Sequence, residues 1–355
     1  MRGKVLTALS GGVDSSVAAY LLAEDGYAVT GVTMCLGVED QDDRTRCCGR
    51  DAIEDAKRVC DRLKIDHYVM DFQDAMKESV IDKFMEEYSR GRTPNPCIDC
   101  NRYLKFGILL AKARALGFDY LVTGHYARID RSDGRTRLLR PKDRMKDQTY
   151  FLYPIHPGDL ASILFPLGDL LKQEVRSIAR KAGLPVAEKA ESQDLCFVTR
   201  KDYRQFILDR GGRRSIEGDI VDGQGNLLGR HRGIVFYTIG QRSGLGVSAK
   251  TPLYVTGIDP EKNRIVVGQK AQLKARGLVA ADLNLFQDRL PGEAEAKIRY
   301  RKKPSPCRVF PEGQRLRLIF REEQESITPG QAVVLYRGDA VLGGGVIEEV
   351  LHEYC

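Results

Sequence analysis

Residues 10 to 16 read Ser10-Gly11-Gly12-Val13-Asp14-Ser15-Ser16, and these types in this order suit a bound oxyanion. Gly11 and Gly12 let the backbone come close, Ser10, Ser15 and Ser16 add hydroxyl donors, and a helix starting here offers unpaired N–H groups. The apolar run Val5 to Leu9 reads as a buried strand, and Val17 to Leu22 has the apolar density of a helix. Strand, loop and helix in that order make a phosphate cradle sized for a pyrophosphate. The loop has neither the lysine and spacing of a Walker loop nor the third glycine of a dinucleotide fingerprint.

The second chemistry is sulfur. Nine cysteines stand at positions 35, 47, 48, 60, 97, 100, 196, 307 and 355. In an intracellular chain of this size they do not read as a disulfide framework, and a clustered subset points to redox chemistry, sulfur transfer or metal. Cys60 falls on the apolar stripe of Ile53, Ala56, Cys60 and Leu63 and is expected in a core. Cys97 and Cys100 follow the extended stretch Thr93-Pro94-Asn95-Pro96, at the expected start of a helix Leu104 to Leu116. A helix N-terminus favours a thiolate, the form needed by a nucleophile or a metal ligand. Cys196 lies in Asp194-Leu195-Cys196-Phe197, where composition alone reads as packing. Cys47, Cys48, Cys307 and Cys355 carry no motif and are expected to be bystanders.

These groups need elements to hold them. Strands are expected at 29–34, 67–72 and 120–125, alternating with helices, so the first half reads as a parallel α/β sheet, the last of these strands ending in Gly124 and His125 at the sheet edge where ligands gather. A helix from Leu170 to Ala182 stops at Gly183 with Pro185 behind it. From about Ser215 the pattern changes to short strands and turns, including Asp222 to Asn226 and Asp259 to Asn263, which reads as a small β-rich module and then a barrel or sandwich. The start Met1-Arg2-Gly3-Lys4 leads straight into the first strand, and no apolar run approaches spanning length, so a cytoplasmic protein is expected.

Charge adds a partner class. The chain has 56 Lys and Arg against 49 Asp and Glu, a net charge of +7. From Arg128 to Lys146 there are eight basic and three acidic residues, and Arg299-Tyr300-Arg301-Lys302-Lys303 forms a second basic cluster with an aromatic inside it. Either cluster alone is an ordinary solvated face; beside a phosphate loop they make RNA a credible substrate.

The loop resembles the PP-loop of ATP pyrophosphatases, which cleave ATP between its α and β phosphates and adenylate an oxygen. Taken with Thr93-Pro94-Asn95-Pro96, Cys100-Asn101, Thr123-Gly124-His125-Tyr126, Lys146-Asp147-Gln148-Thr149-Tyr150-Phe151, Asp194 to Phe197 and Leu342-Gly343-Gly344-Gly345, the chain resembles the tRNA-specific 2-thiouridylases from Ser10 to Gly345. The resemblance implies a doubly wound α/β PP-loop domain over 1–208, of the adenine nucleotide alpha hydrolase-like kind. A small central β-rich domain over 209–275 and a C-terminal β-barrel over 276–355 would follow. It implies ATP with Mg2+ as the activating substrate, thiolation of the wobble uridine at C2 in tRNAs for lysine, glutamate and glutamine, and a partner protein that donates persulfide sulfur.

Position by position, the resemblance places Ala8, Leu9, Ser10, Gly11, Gly12, Val13, Asp14, Ser15, Met34 and Gly124 at ATP, and Asn95, Pro96 and Cys97 at the target base. It places Lys146, Asp147, Gln148, His125, Arg299, Tyr300 and Gln331 at tRNA. Cys196 would carry the persulfide, and Cys100 would attack Cys196 to free the product, leaving a Cys100–Cys196 disulfide. Cys97 stands where some members have aspartate, which leaves a second scheme open: Cys97, Cys100 and Cys196 as three ligands of a [4Fe–4S] cluster. Two other classes compete, a PP-loop ligase with a different acceptor and a noncatalytic RNA-binding module. ATP turnover that needs both Cys100 and Cys196 separates thiolation from each.

Overall fold

A computed structural model of the 355-residue chain describes residues 2–37, 50–190, 197, 204, 206–208 and 216–352. The expected strands of the first half are present as β1 (Lys4–Ala8), β2 (Ala28–Cys35), β3 (His67–Asp71) and β4 (Tyr120–Val122). Two short strands, β5 (Arg128–Asp130) and β6 (Arg137–Leu139), form a hairpin, and β7 (Ile163–Leu164) completes the set. The main sheet has the order β3-β2-β1-β4-β7, and all its pairings are parallel. The chain leaves β1 toward β2 on one side and later adds β4 on the other, so the loops after β1 and β4 meet where the order reverses, the place ligands occupy in doubly wound sheets.

Helix α1 (Val13–Glu24) follows the glycine loop, with Val13, Ser15, Ser16, Val17, Ala18, Ala19 and Leu22 buried. Its core partners include Val5, Leu9 and Val122 from the sheet and Val175 and Ala179 from the helix Lys172–Lys181. Helix α2 (Arg50–Leu63) buries Ala56, Val59 and Cys60, as its stripe predicts. The helix Lys172–Lys181 ends two residues before Gly183, whose φ of +62° is the left-handed stop expected there.

One boundary differs. Helical structure starts at Pro96, eight residues before Leu104, with an α-turn Pro96–Asp99, a π-helical stretch Cys100–Leu109 and an α-helix Leu110–Ala115. Proline lacks the N–H that the first turn leaves unused, so the Pro96 read as extended backbone is instead a compatible helix start.

The second half is β-structure. Strands β8 (Gly218–Val221), β9 (Leu227–His231), β10 (Tyr254–Asp259) and β11 (Arg264–Gly268) form a four-stranded sheet, β10-β11-β8-β9, over a core of Ile220, Tyr237, Leu245, Val255, Ile265 and Val267. Next come β12 (Lys274–Leu285), β13 (Glu293–Lys297), β14 (Ser305–Glu312), β15 (Arg315–Glu325), β16 (Ala332–Arg337) and β17 (Ala340–Leu351). Their order is β12-β15-β14-β13-β16-β17, and β12 also pairs with β17, so six strands close into a barrel and the sandwich alternative falls away.

The glycines of Leu342 to Gly345 serve that closure. A Cβ at Gly343 would lie 2.3 Å from the Asn284 carbonyl oxygen, and one at Gly345 would lie 2.6 Å from that of Ala281. By contact density the chain forms two compact units: residues 1–80, 97–199 and 338–341, and residues 81–96, 200–337 and 342–355. Among the described residues no helix is long and apolar enough to cross a membrane.

Candidate functional site

The glycine loop is built to present backbone. Gly11 has φ +67°, and a Cβ on it would sit 2.4 Å from the Ala52 carbonyl oxygen, so only glycine fits. Gly12 is the N-cap of α1 and has no side chain to occupy the helix N–H groups. The serines divide their work. Ser10 is exposed, whereas Ser15 and Ser16 are buried and brace the turn. The Ser16 hydroxyl donates to the Gly12 carbonyl at 2.8 Å, and Ser15 Oγ accepts from Ser10 N at 3.2 Å. The expectation of three ligand-facing hydroxyls therefore reduces to Ser10.

Gly124 lies against this turn. A Cβ there would be 2.5 Å from Ser15 N, so the end of β4 and the start of α1 touch through their backbones. Ala8 and Met34 are half-buried, at the ends of β1 and β2, and Leu9 and Val13 are buried core.

Asp14, in the first turn of α1, holds two partners that lie far from it in the chain. Tyr126 Oη donates to its Oδ1 at 2.9 Å, and Lys172 Nζ donates to Oδ1 and Oδ2 at 2.7 and 2.8 Å. Lys189 steadies the same loop, donating to the Gly11 carbonyl at 3.0 Å and to Asp55 at 2.5 Å. Tyr126 belongs to the Thr123 to Tyr126 run already noted, but neither lysine sits at any nucleotide-motif spacing, so sequence gave no signal for them.

The thiols share one helical segment. Cys97 and Cys100 are half-buried and three residues apart, hence on neighbouring positions of one face, and the π-helical stretch starts at Cys100. Asn95 before them is half-buried, and Pro94 and Pro96 are buried. Asn101 is 2% exposed and donates through Nδ2 to the Phe151 carbonyl at 3.0 Å, tying the thiol helix to the Lys146–Phe151 stretch.

Cys60 and Cys307 are buried, and burial pushes both thiols up to about 12, which makes them inert packing. Cys35 is disulfide-bonded. Cys47, Cys48, Cys196 and Cys355 lie outside the described residues. Among the described residues no three His, Cys, Asp or Glu side chains gather as a metal site.

The residues expected at RNA fall into two sets. In the first, Lys146 is half-buried, and Gln148 Oε1 accepts from Tyr126 N at 2.8 Å. Asp147 is only 3% exposed: its carboxylate accepts from Arg140 Nε at 2.8 Å, from Thr149 N at 2.9 Å and from Thr149 Oγ1 at 2.6 Å. His125 is half-buried, with its Nδ1 2.7 Å from Thr123 Oγ1 and the rings of Phe106 and Phe165 nearby. Desolvation, with help from the Lys105 charge, holds its imidazole well below the ordinary histidine value, so it is neutral at pH 7.

The second set belongs to the other unit. Arg299 donates to the Ile239 carbonyl at 3.3 Å and to Thr328 Oγ1 at 2.5 Å, and Lys297 lies over the Tyr300 ring. Gln331 Nε2 donates to the carbonyls of Thr93 at 2.8 Å and Pro94 at 3.3 Å. Gln331 thus grips the chain just before Asn95.

Three family models match the chain in tandem: a tRNA methyl transferase HUP domain over residues 3–200, a tRNA methyl transferase PRC-barrel domain over 204–269 and an aminomethyltransferase beta-barrel domain over 275–347. The chain is similar along nearly its full length to curated relatives. The tRNA-specific 2-thiouridylase MnmA 1 of Syntrophus aciditrophicus (strain SB) is 59% identical over 352 residues, covering 99% of this chain and 94% of the relative. The tRNA-specific 2-thiouridylases MnmA of Moorella thermoacetica and Carboxydothermus hydrogenoformans are 52% and 50% identical. Those matches cover 97% and 99% of this chain, and 99% of each relative.

Proposed function

The chain belongs to the tRNA-specific 2-thiouridylase family, and from that premise we propose that it replaces the C2 oxygen of a wobble uridine in tRNA by sulfur, using ATP. The observation that carries this reading is a connected frame of hydrogen bonds. Asn101, next to Cys100, holds Phe151; Gln148 in the same stretch holds Tyr126; and Tyr126 holds Asp14 of the phosphate loop. A thiol, a stretch matching the family's tRNA contacts and a phosphate cradle are thereby linked. The family models carry methyltransferase wording, yet methyl transfer needs no phosphate cradle, whereas ATP-driven thiolation of an amide-like carbonyl needs both a cradle and a thiol.

In this scheme Ala8 to Ser15, Met34 and Gly124 hold ATP, and Asp14 is the carboxylate suited to its magnesium, an ion that keeps most of its other ligands from water and phosphate. The uridine O2 attacks the α-phosphate, pyrophosphate leaves, and AMP becomes a good leaving group on C2. The outer sulfur of a Cys196 persulfide attacks C2 and displaces AMP. The Cys100 thiolate then attacks Cys196 Sγ, which releases the 2-thiouridine and leaves a Cys100–Cys196 disulfide for an external dithiol to reduce. Asn95, Pro96 and Cys97 meet the target base; Lys146, Gln148, His125, Arg299 and Tyr300 contact tRNA. Asp147 and Gln331 act by positioning Arg140 and the Thr93–Pro94 backbone. The sulfur arrives from a persulfide-carrying protein, the tRNAs served are those for lysine, glutamate and glutamine, and the compartment is the cytoplasm. The domain division is 1–208, 209–275 and 276–355.

The test is reaction of purified protein with unmodified tRNA, ATP and a persulfide donor, with nucleoside mass analysis of the wobble position. The oxygen-to-sulfur exchange is expected with the native chain and absent with Cys100→Ser or Cys196→Ser. Asp14→Ala is expected to lower turnover by on the order of a hundredfold or more while tRNA affinity holds. Turnover to AMP that survives both serine substitutions would replace this reading with a ligase acting on another acceptor. Stoichiometric iron and sulfide after anaerobic purification would replace the persulfide route with the cluster.

A further inference from the structure

Lys172 opens the helix Lys172–Lys181, and its side chain is only 11% exposed. Its ammonium lies 2.7 and 2.8 Å from the two carboxylate oxygens of Asp14, and 5.8 Å from the centroid of the Tyr126 ring. The backbone start of that helix is already served by protein carboxylates. Asp143 accepts from Lys172 N at 2.9 Å, and Glu174 accepts from Leu171 N at 2.6 Å. Any attraction for an outside anion at this point therefore comes from the side chain and not from the helix terminus.

Taking an ammonium out of water costs several kcal/mol unless a counter-charge is close, so a buried lysine here is retained for its charge. Asp14 supplies the counter-charge, and its side chain is the more open of the pair, at 31% exposed. The pairing has a consequence for a polyphosphate. A bare carboxylate in the cradle would repel it, whereas the Asp14–Lys172 pair presents no net charge. A nucleotide-borne cation drawn to Asp14 would compete with Lys172 for those oxygens, and the phosphate oxygens arriving beside it would offer the ammonium a charged acceptor.

We propose that Lys172 is a further residue of the ATP site and that its ammonium passes from Asp14 to the β- and γ-phosphates. There it binds the part of ATP that departs as pyrophosphate and offsets the charge that builds on it. The proposal rests on the reading of residues 8–15 as an ATP site.

Calorimetric titration with ATP, AMP and pyrophosphate tests it in the absence of tRNA. Lys172→Met keeps the apolar stem and removes the charge. It is expected to weaken ATP and pyrophosphate about tenfold or more, the worth of a charged hydrogen bond, and to leave AMP within about twofold. Equal losses for ATP and AMP would overturn the proposal, because a lysine that only supports the fold cannot tell the two apart. Should Lys172→Met fail to fold, the native protein carries the test. With lysines 13C-labelled at Cε, pyrophosphate but not AMP should shift the resonance that disappears in Lys172→Arg. A resonance unmoved by pyrophosphate, or moved alike by both, sinks it. If the native chain binds neither ATP nor AMP, the ATP-site reading itself fails and takes this proposal with it; binding of AMP with no preference for ATP removes only the role of Lys172.

Discussion

The two basic stretches look alike in sequence and differ in what their charges face. In Arg128 to Lys146 five of the eight cations meet carboxylates, while Arg131 donates to the carbonyls of Leu160, Ala161 and Ile163. Arg128 and Arg144 share Asp339, Arg137 reaches Asp130 and Asp133, Arg140 is paired with buried Asp147, and Lys142 reaches Glu174. In Arg299 to Lys303, Arg299 bonds a carbonyl and a hydroxyl, and Lys302 donates to the Glu325 carbonyl at 3.0 Å while the Glu325 carboxylate also acts on its charge. Arg301 and Lys303 are exposed, and among the described residues neither has a carboxylate in ion-pair reach. A count of charges along a sequence gives the first stretch the larger excess. Once partners are included, much of the first stretch's excess is paired, and Arg301 and Lys303 of the second keep their charge for a polyanion, since phosphate binding depends on cations not already neutralised.

The largest effect expected from this contrast is on stability. Arg140→Met leaves the Asp147 carboxylate, with 2% side-chain exposure, without its cation, and should cost about 3 kcal/mol, read as a lower urea midpoint. Lys303→Gln should leave that midpoint unchanged, and equal losses would erase the distinction. Next in size is RNA affinity. Arg301→Gln with Lys303→Gln should lower the dependence of log K on log salt by about 2, while Arg137→Gln should leave it as in the native chain. The reverse result would assign the RNA footprint to the first stretch.

Acidification provides the smallest effect. Asp130, through hydrogen bonds from Ser132, and Asp339, through Arg144, have carboxyls held below their usual range, so their pairs survive mild acid and the salt slope should be flat from pH 7 to pH 5. Over that range stability should fall slightly, because burial holds the imidazoles of His67, His125 and His231 below the ordinary value of about 6.5. The unfolded chain takes up their protons first, so stability present above pH 6.5 is lost as pH drops toward the folded-state values. For His231 the bond at risk is visible: Nδ1 accepts from Gly233 N at 3.0 Å and cannot do so once protonated. Thermal unfolding midpoints of the native chain and His231→Gln across this range measure it.

The α/β half was legible because its apolar runs and caps are strong, and β1 to β4 and α1 and α2 lie where the pattern puts them. Two strands of the second half are hard to read for physical reasons. β14 contains Pro306 and Pro311, which argue against a ladder, and β12 begins Lys274-Ala275-Arg276-Gly277, where strand-forming side chains would be expected. Of the site, the loop glycines and the paired cysteines announced themselves by type and spacing. Lys172 and Lys189 did not, because their partners Asp14 and Gly11 are 158 and 178 residues away and no local pattern encodes such a meeting. Asp147 shows the opposite failure. The family resemblance places it at tRNA, whereas its burial and the bonds it accepts from Arg140 and Thr149 turn it inward.

The grip of Gln331 on the Thr93 and Pro94 carbonyls is matched by Thr93 N donating to the Pro329 carbonyl at 3.0 Å, and a Cβ at Gly330 would come 2.8 Å from Thr93 N. The leader into Asn95 and Cys97 is therefore moored to a turn that the ribosome makes more than two hundred residues later. A nascent or truncated polypeptide ending before residue 329 would have its phosphate loop in place and Asn101 still tied to Phe151, but the Thr93–Pro94 backbone would lack its anchor. The backbone leading to Asn95 should then settle only with the last part of the chain.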